Sequence, residues 1–179
     1  FGSTLVTATN ANAVDVDGIW GEGTTVALQQ FLNQALGAGL EVDGLIGSQP
    51  ASAQEELAVF GSGWDWVSDS DASGSATITA MQNWLGVSAD GLIGRQTLSA
   101  LGSYEDPELG REIDELNREL GELGRFVEGV GEDVQREYEE IKNKLKELYE
   151  EVIRKLQDML DKLSGKPDPE ARKWFEEHR

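Results

Sequence analysis

The chain contains no cysteine, and its first 104 residues contain no lysine and a single arginine, Arg95. The absence of cysteine excludes disulfides, thiolate zinc sites and a cysteine nucleophile. No apolar run approaches the roughly 20 residues of a membrane-spanning helix, so we expect no transmembrane segment. The N-terminus has no basic segment followed by an apolar core, so we expect no signal peptide there.

Histidine is almost absent as well, since the single histidine, His178, is the next-to-last residue. The sequence therefore offers no Ser-His-Asp set and no histidine-based zinc triad, and it has no phosphate-cradling loop. Carboxylate pairs are common in the second half, but they alternate with Lys and Arg, a pattern typical of solvated helix faces. We expect no catalytic residues, no metal site and no cofactor, and hence a protein that is not an enzyme.

The net charge is −19, and it is unevenly distributed. Residues 1–104 carry eleven acidic residues and one basic residue, whereas residues 105–179 carry twenty-three acidic and fourteen basic residues. Such a charge disfavours nucleic acid and anionic membranes as partners, because both require clustered Lys and Arg. The change in composition predicts two domains, 1–104 and 105–179, with the join near Gly102-Ser103.

A short motif occurs three times in the first half, as VDGIWG at 16–21, VDGLIG at 42–47 and ADGLIG at 89–94. Asp-Gly favours a tight turn, because Gly accepts positive φ and Asp can bond the backbone downstream of it. We predict that both apolar residues after each turn point inward, and that the second Gly lets the backbone reverse before a helix. The predicted turn positions are Asp17, Gly18, Gly21, Asp43, Gly44, Gly47, Asp90, Gly91 and Gly94.

Helix starts are predicted at three positions: Thr24, Pro50 and Thr97. Another helix is predicted within residues 75–86, with a glycine stop. The run DSDASGS at 69–75 begins like a calcium loop, but Ala80 stands where such a loop needs a bidentate Glu, so a polar loop that caps the next helix is favoured. The first half is therefore predicted to be a small, repeat-built all-α bundle with Asp-Gly turn loops.

Two stretches, VDGIWGEGTTVALQQFLN and MQNWLGVSADGLIGRQTLSAL, resemble the repeat pattern of the peptidoglycan-binding-like domain of bacterial and phage cell-wall hydrolases. The resemblance covers roughly residues 13–104. The middle copy departs from it, with Pro50 in place of Thr and Gln54 in place of Leu. The resemblance implies a non-catalytic three-helix module, secreted or wall-associated, that holds an enzyme on peptidoglycan.

Tryptophan supplies the candidate ligand contacts, because sugar rings stack on indole faces. The candidates are Trp64, Asp65, Trp66 and Trp20. A core position is favoured for Trp20 and Trp84, since Ile occupies the Trp20 slot in the other two copies. For Trp64 and Trp66, a stacking platform and a plug between two units are both open.

The second half consists of predicted capped helices. Asp106-Pro107-Glu108 is a strong helix start, and heptad seams follow over residues 109–127 and 134–163. Gly129-Val130-Gly131 predicts a turn, and hence a long helical hairpin, although one unbroken helix over 107–163 is the alternative. A short third helix carrying Trp174 and Phe175 is predicted after it.

Three glycines interrupt the first of these helices: Gly110, Gly121 and Gly124. Each costs about 1 kcal/mol relative to Ala in a helix interior. Either another backbone approaches closely at these positions, or the segment is frayed. The half as a whole resembles de novo designed helical proteins, which implies a protein partner, self-association or a rigid extension as its purpose.

Overall fold

The computed structural model describes residues 14–124 and 131–163, and it is mostly helical, as predicted. The elements in chain order are α1 (Glu22–Leu36), β1 (Ile46–Pro50), α2 (Ala51–Leu57), β2 (Trp64–Val67), α3 (Ala76–Leu85), α4 (Arg95–Glu105), α5 (Pro107–Gly124) and α6 (Glu132–Leu163). The prediction of an all-α fold is incomplete, because two short strands are present.

The two strands form a parallel pair in which Ile46 lies opposite Trp64 and Gln49 lies opposite Trp66. An isolated bridge between Trp20 and Phe60 continues the contact, with the Trp20 amide donating to the Val59 carbonyl at 2.8 Å. The strand β1 was not predicted, because its sequence IGSQP contains Gly and Pro, which are typical of turns. Its pairing with β2 is a tertiary contact that the local sequence does not encode.

The Asp-Gly turns form as predicted. Gly18, Gly44 and Gly91 have φ of 78°, 75° and 76°, the left-handed conformation that glycine adopts without strain. In each turn the Asp carboxylate accepts a hydrogen bond from the backbone N–H two residues later, at 2.9–3.0 Å. The turns are therefore local structures that their own sequence specifies.

The prediction that both apolar residues after each turn point inward was wrong. The first of them is on the surface in two copies, with Ile19 43% and Leu45 54% exposed. The second is buried in all three, at Trp20, Ile46 and Ile93. The chain leaves each turn in an extended conformation, so consecutive side chains point to opposite sides.

The predicted helix starts need small corrections. The helices α1 and α4 begin at Glu22 and Arg95, two residues before the threonines predicted as their starts, and Pro50 is the N-cap of α2. The polar loop does cap α3, because Ser75 Oγ accepts from the Thr77 amide at 3.1 Å and from the Ile78 amide at 3.4 Å.

The helices α5 and α6 lie side by side and antiparallel, since Asn117 faces Tyr149 and Gly124 faces Tyr138. A single unbroken helix over 107–163 is therefore excluded. Asp106 caps α5 by accepting from the Glu108 amide at 3.1 Å, as predicted. The predicted third helix and most of the predicted turn lie outside the described residues.

Close backbone approach occurs at Gly110. A Cβ added there would lie 2.7 Å from Ser103 Cα, so α4 and α5 touch at this point. The same prediction was wrong for Gly121, which has no such neighbour within 4 Å among the described residues, and for Gly124, where an added Cβ would make ordinary contact with Tyr138 at 3.8 Å. The physical reason is that α4 is the shorter helix, so α5 has passed its end before residue 121.

Buried side chains from both compositional halves form one continuous hydrophobic core. The helix α6 packs on α1 and α4, α1 packs on α3, and α3 packs on α4, which closes a ring of four helices. The helix α5 lies outside this ring against α4 and α6. The compositional join near Gly102 falls inside α4.

Candidate functional site

One buried glutamine side chain binds the Asp-Gly loop at residues 43–45. Gln29 Oε1 accepts hydrogen bonds from the backbone amides of Asp43 and Gly44, both at 3.0 Å. Its Nε2 donates to Asp43 Oδ1 at 3.1 Å and to the Leu45 carbonyl at 3.3 Å. A primary amide suits this role, because it offers an acceptor and two donors within one planar group.

The loop at residues 90–92 is bound in the same way by Gln82. Its Oε1 accepts from the Gly91 amide at 2.9 Å, and its Nε2 donates to Asp90 Oδ1 at 2.9 Å and to the Leu92 carbonyl at 3.0 Å. Gln29 and Gln82 precede the Asp that they bind by 14 and 8 residues respectively, so each glutamine lies on the helix just before its loop.

The first loop, residues 17–19, receives its glutamine from the other end of the chain. Gln157 of α6 accepts from the Asp17 and Gly18 amides at 3.1 and 2.9 Å, and donates to Asp17 Oδ1 at 3.0 Å and to the Ile19 carbonyl at 2.8 Å. Gln157 is fully buried. The helix α6 thus occupies, at the first loop, the place that α1 and α3 occupy at the other two.

A threonine hydroxyl completes each set. Thr24, Thr77 and Thr97 accept from the Nε2 of Gln157, Gln29 and Gln82 at 2.9, 3.1 and 3.1 Å. Thr24 and Thr97 stand seven residues after their Asp, where the middle copy has Pro50; Thr77 of α3 takes over that function. We call each set of glutamine, Asp-Gly loop and threonine a glutamine clamp.

The clamps use the polar groups of the loops internally, which favours a structural function for the repeated motif. The amides of all three turn glycines bond to the clamp, and Oδ1 of each turn Asp bonds to the loop and the glutamine. Gly47 is needed for a different reason, because an added Cβ there would collide with the Gly74 backbone.

These hydrogen bonds change the acidity of one carboxyl group. The amide of Leu45 and then the Gln29 side chain lower the pKa of Asp43 below its ordinary value of 3.8. Because the pKa is lowered on folding, the carboxylate stabilises the fold above the ordinary value. That contribution is lost as the pH falls through the folded-state pKa.

We expect an NMR titration of the side-chain carboxyl to place the pKa of Asp43 below 3.8. In Gln29→Leu we expect it to rise, though not completely, because the Leu45 amide still donates. The matched control is Gln30→Leu in the same helix, which should leave the pKa unchanged. An Asp43 that titrates at or above its ordinary value would contradict this account.

The clamp glutamines were missed in the sequence, although a signal for them was present. The three helices share an apolar-Gln-polar-apolar-Leu pattern, LQQFL at 28–32, MQNWL at 81–85 and LQDML at 156–160. The third occurrence lies in the second half, where the heptad pattern indicates a seam of apolar residues and does not single out a glutamine. The buried Gln49 was missed too; it accepts from the Ile93 amide at 2.6 Å and donates to the Gly91 carbonyl at 2.9 Å.

Three aromatic side chains meet at β2. The rings of Trp64 and Trp66 are stacked, with centroids 5.3 Å apart and planes 8° apart. Phe60 packs against both, at 4.4 and 4.8 Å. Trp64 and Trp66 share one face of the strand because they are two residues apart, while Asp65 between them is exposed. We call Phe60, Trp64 and Trp66 the aromatic cluster.

Within the cluster the two tryptophans differ. The Trp64 indole N–H donates to the Trp20 carbonyl at 2.8 Å, and the two rings pack edge to face with their centroids 5.1 Å apart. Trp64 therefore closes the core over Trp20, which is completely buried and not accessible to a ligand. Trp66 has its ring contacts with Phe60 and Trp64 and is only partly buried.

Trp84, which was also predicted to be a core residue, is partly buried on a different face. It packs against Phe31 at 5.0 Å and Tyr104 at 4.3 Å. Burial, and then the charge of Glu105, raises the pKa of Tyr104 to about 12, so this phenol is neutral at physiological pH.

Over residues 14–124 and 131–163, no group of three or more His, Cys, Asp or Glu side chains is arranged to hold a metal ion. Within the same residues, no helix combines the length and the apolar character that crossing a bilayer requires. Comparison of the chain with protein-family models, with curated proteins and with solved structures finds no match.

Proposed function

We propose that this chain is a non-catalytic, wall-associated binding module whose ligand is the glycan of peptidoglycan, with Trp66 as its principal contact. The observation that carries the proposal is the aromatic cluster, in which Phe60 and Trp64 hold a partly exposed indole in a fixed orientation. A rigid indole loses little conformational entropy on binding.

The chemistry of the surroundings agrees with a sugar ligand. Asp65, a ligand candidate in the sequence, is exposed but lies on the face of β2 opposite to the two tryptophans, so it does not enter the proposed contact. Residues 14–104 carry eleven acidic side chains and only Arg95 as a base, which favours an uncharged ligand over an anionic one. The repeated loops do not enter the proposal, because their polar groups bond within the clamps.

We expect the chain to sediment with purified peptidoglycan, and Trp66→Ala to reduce its affinity by about fivefold to thirtyfold, since loss of a stacking contact costs about 1 to 2 kcal/mol. Trp84→Ala is the matched control, because Trp84 is also partly buried among aromatic rings but lies on another face. Trp66→Phe should keep part of the affinity.

Thermal unfolding of each variant separates lost binding from lost folding. A chain that remains in the supernatant while an established wall-binding protein sediments would refute the proposal, as would equal losses for Trp66→Ala and Trp84→Ala.

A second candidate function is that of an engineered scaffold, in which α5 and α6 form a rigid extension. It rests on one observation, the two environments of α6: most of residues 145–160 are buried or partly buried, while most of 132–144 are exposed. Light scattering after size exclusion tests it. A monomer at all working concentrations favours an extension, and a stable oligomer favours self-assembly.

A further inference from the structure

The first clamp differs from the others in where its glutamine comes from. Gln157 lies 140 residues after Asp17, whereas Gln29 and Gln82 lie 14 and 8 residues before their loops. We call the Asp-Gly loops at residues 17–19, 43–45 and 90–92 loops 1, 2 and 3. Short connections hold α1 over loop 2 and α3 over loop 3. No short connection joins α6 to loop 1, so only noncovalent contacts position the helix there. The face formed by loop 1 and α1 therefore acts as a binding surface for a helix.

The face selects its helix by several features together. Gln157 makes five hydrogen bonds to it, to groups of Asp17, Gly18, Ile19 and Thr24. Three residues before the glutamine, the Arg154 guanidinium covers Gly18, just as Val26 covers Gly44 before Gln29 and Thr79 covers Gly91 before Gln82.

Apolar side chains around Gln157 are buried in the core that α6 shares with α1, α4 and α5. They are Val152, Ile153, Leu156 and Leu160, each no more than 2% exposed. The directional hydrogen bonds of the clamp fix the position of α6 along the face, and the buried apolar side chains around the clamp contribute affinity. A helix without the glutamine would leave the Gly18 amide and the Thr24 hydroxyl buried and unpaired.

We propose that the face formed by loop 1 and α1 is a docking site for a helix with the apolar-Gln-polar-apolar-Leu pattern, and that α6 of a second copy of this chain can occupy it. The hydrogen bonds of the clamp are the same whether α6 comes from the same chain or from a second copy. Within one chain, α6 is also held in place by its packing on α4 and α5. At micromolar protein the chain's own helix therefore occupies the site.

Two full-length variants with complementary defects test the proposal. Gln157→Glu keeps the site and damages the helix, because a carboxylate cannot donate to Asp17 Oδ1 or to the Ile19 carbonyl. The double variant Asp17→Ala, Thr24→Val keeps the helix and damages the site. When the two are unfolded together and refolded at about 100 µM, the intact helix of one should occupy the intact site of the other.

The readout is a mixed dimer, detected by light scattering and by capture through a tag carried on one chain. We expect at least about tenfold more mixed dimer than in the control mixture of Gln157→Glu with Gln157→Ala, in which both helices are defective. If a single variant does not fold alone, recovery of helical circular dichroism on mixing is the expected result.

Equal dimer in both mixtures, or no dimer and no recovery, would overturn the proposal. This result is independent of wall binding, because the aromatic cluster is intact in all of these chains. Failure of the helix-docking proposal and failure of the peptidoglycan proposal are therefore distinguishable.

Discussion

Replacing Gln157 with Leu is expected to lower the free energy of unfolding by about 3 to 5 kcal/mol, because several buried polar groups lose their partners at once. The Gly18 amide, the Ile19 carbonyl and the Thr24 hydroxyl all bond to this one side chain. Leucine has a similar volume, so the loss measures hydrogen bonding more than packing. Urea denaturation followed by circular dichroism gives the difference directly.

Gln135→Leu is the matched control, because Gln135 is an exposed glutamine of the same helix. We expect it to change the stability by less than about 0.5 kcal/mol. Gln29→Leu and Gln82→Leu should resemble Gln157→Leu, since their clamps have the same geometry. If Gln157→Leu matched Gln135→Leu instead, the first clamp would contribute nothing to folding.

The conservative change Gln157→Glu adds a dependence on pH. The introduced carboxyl is buried and lies about 3 Å from Asp17 Oδ1, so its folded-state pKa is raised above its unfolded value. The raised pKa means that the variant is most stable below the unfolded value and loses stability as the pH rises through the folded value. The stability gap to the original chain should therefore widen with rising pH.

Replacing Gly110 with Ala is the second change with a large expected effect, a loss of about 3 kcal/mol in the free energy of unfolding. An added Cβ would lie 2.7 Å from both Cα and Cβ of Ser103, and backbone cannot move aside as a flexible side chain can. The helices α4 and α5 would have to separate, which would also disturb the hydrogen bond from Ser99 to Asp114.

Gly121→Ala in the same helix should have the opposite effect. In the part of the chain that the structure describes, no neighbouring group lies within 4 Å of the added Cβ, so we expect the variant to gain about 0.5 to 1 kcal/mol from the higher helix propensity of Ala. Thermal unfolding of the two variants side by side is the measurement. Equal shifts of the same sign would show that α4 and α5 do not approach each other closely.

The sequence was sufficient for the features that are encoded locally. The three turns follow from Asp-Gly, the start of α5 follows from Asp106, and the capping of α3 follows from the polar loop before it, because a turn or a cap depends on a few neighbouring residues. The burial of Trp20 followed from the comparison of repeats, in which Ile fills its position twice.

The features that were missed depend on contacts between distant residues. Ile46 to Pro50 become a strand only because β2 lies beside them, and Gln157 is buried only because α6 returns to loop 1. In the heptad pattern over residues 134–163, Gln157 is one of many polar residues, and nothing in that pattern predicts its burial. The aromatic cluster is an intermediate case: the sequence singled out Trp64 and Trp66, but only the structure places both indoles on one face of a strand and separates Trp64 from Trp66.

The glycine at position 102 has a consequence for the growth of this architecture. In the repeat, Gly102 stands twelve residues after Asp90, the place that Gln29 holds twelve residues after Asp17. Without the amide, α4 cannot bind a further Asp-Gly loop in the way that α1 and α3 bind theirs. The missing side chain also brings Val152 of α6 close to the α4 backbone, 3.1 Å from where a Cβ would be. The same glycine thus leaves α4 without a clamp side chain and lets α6 pack closely against it.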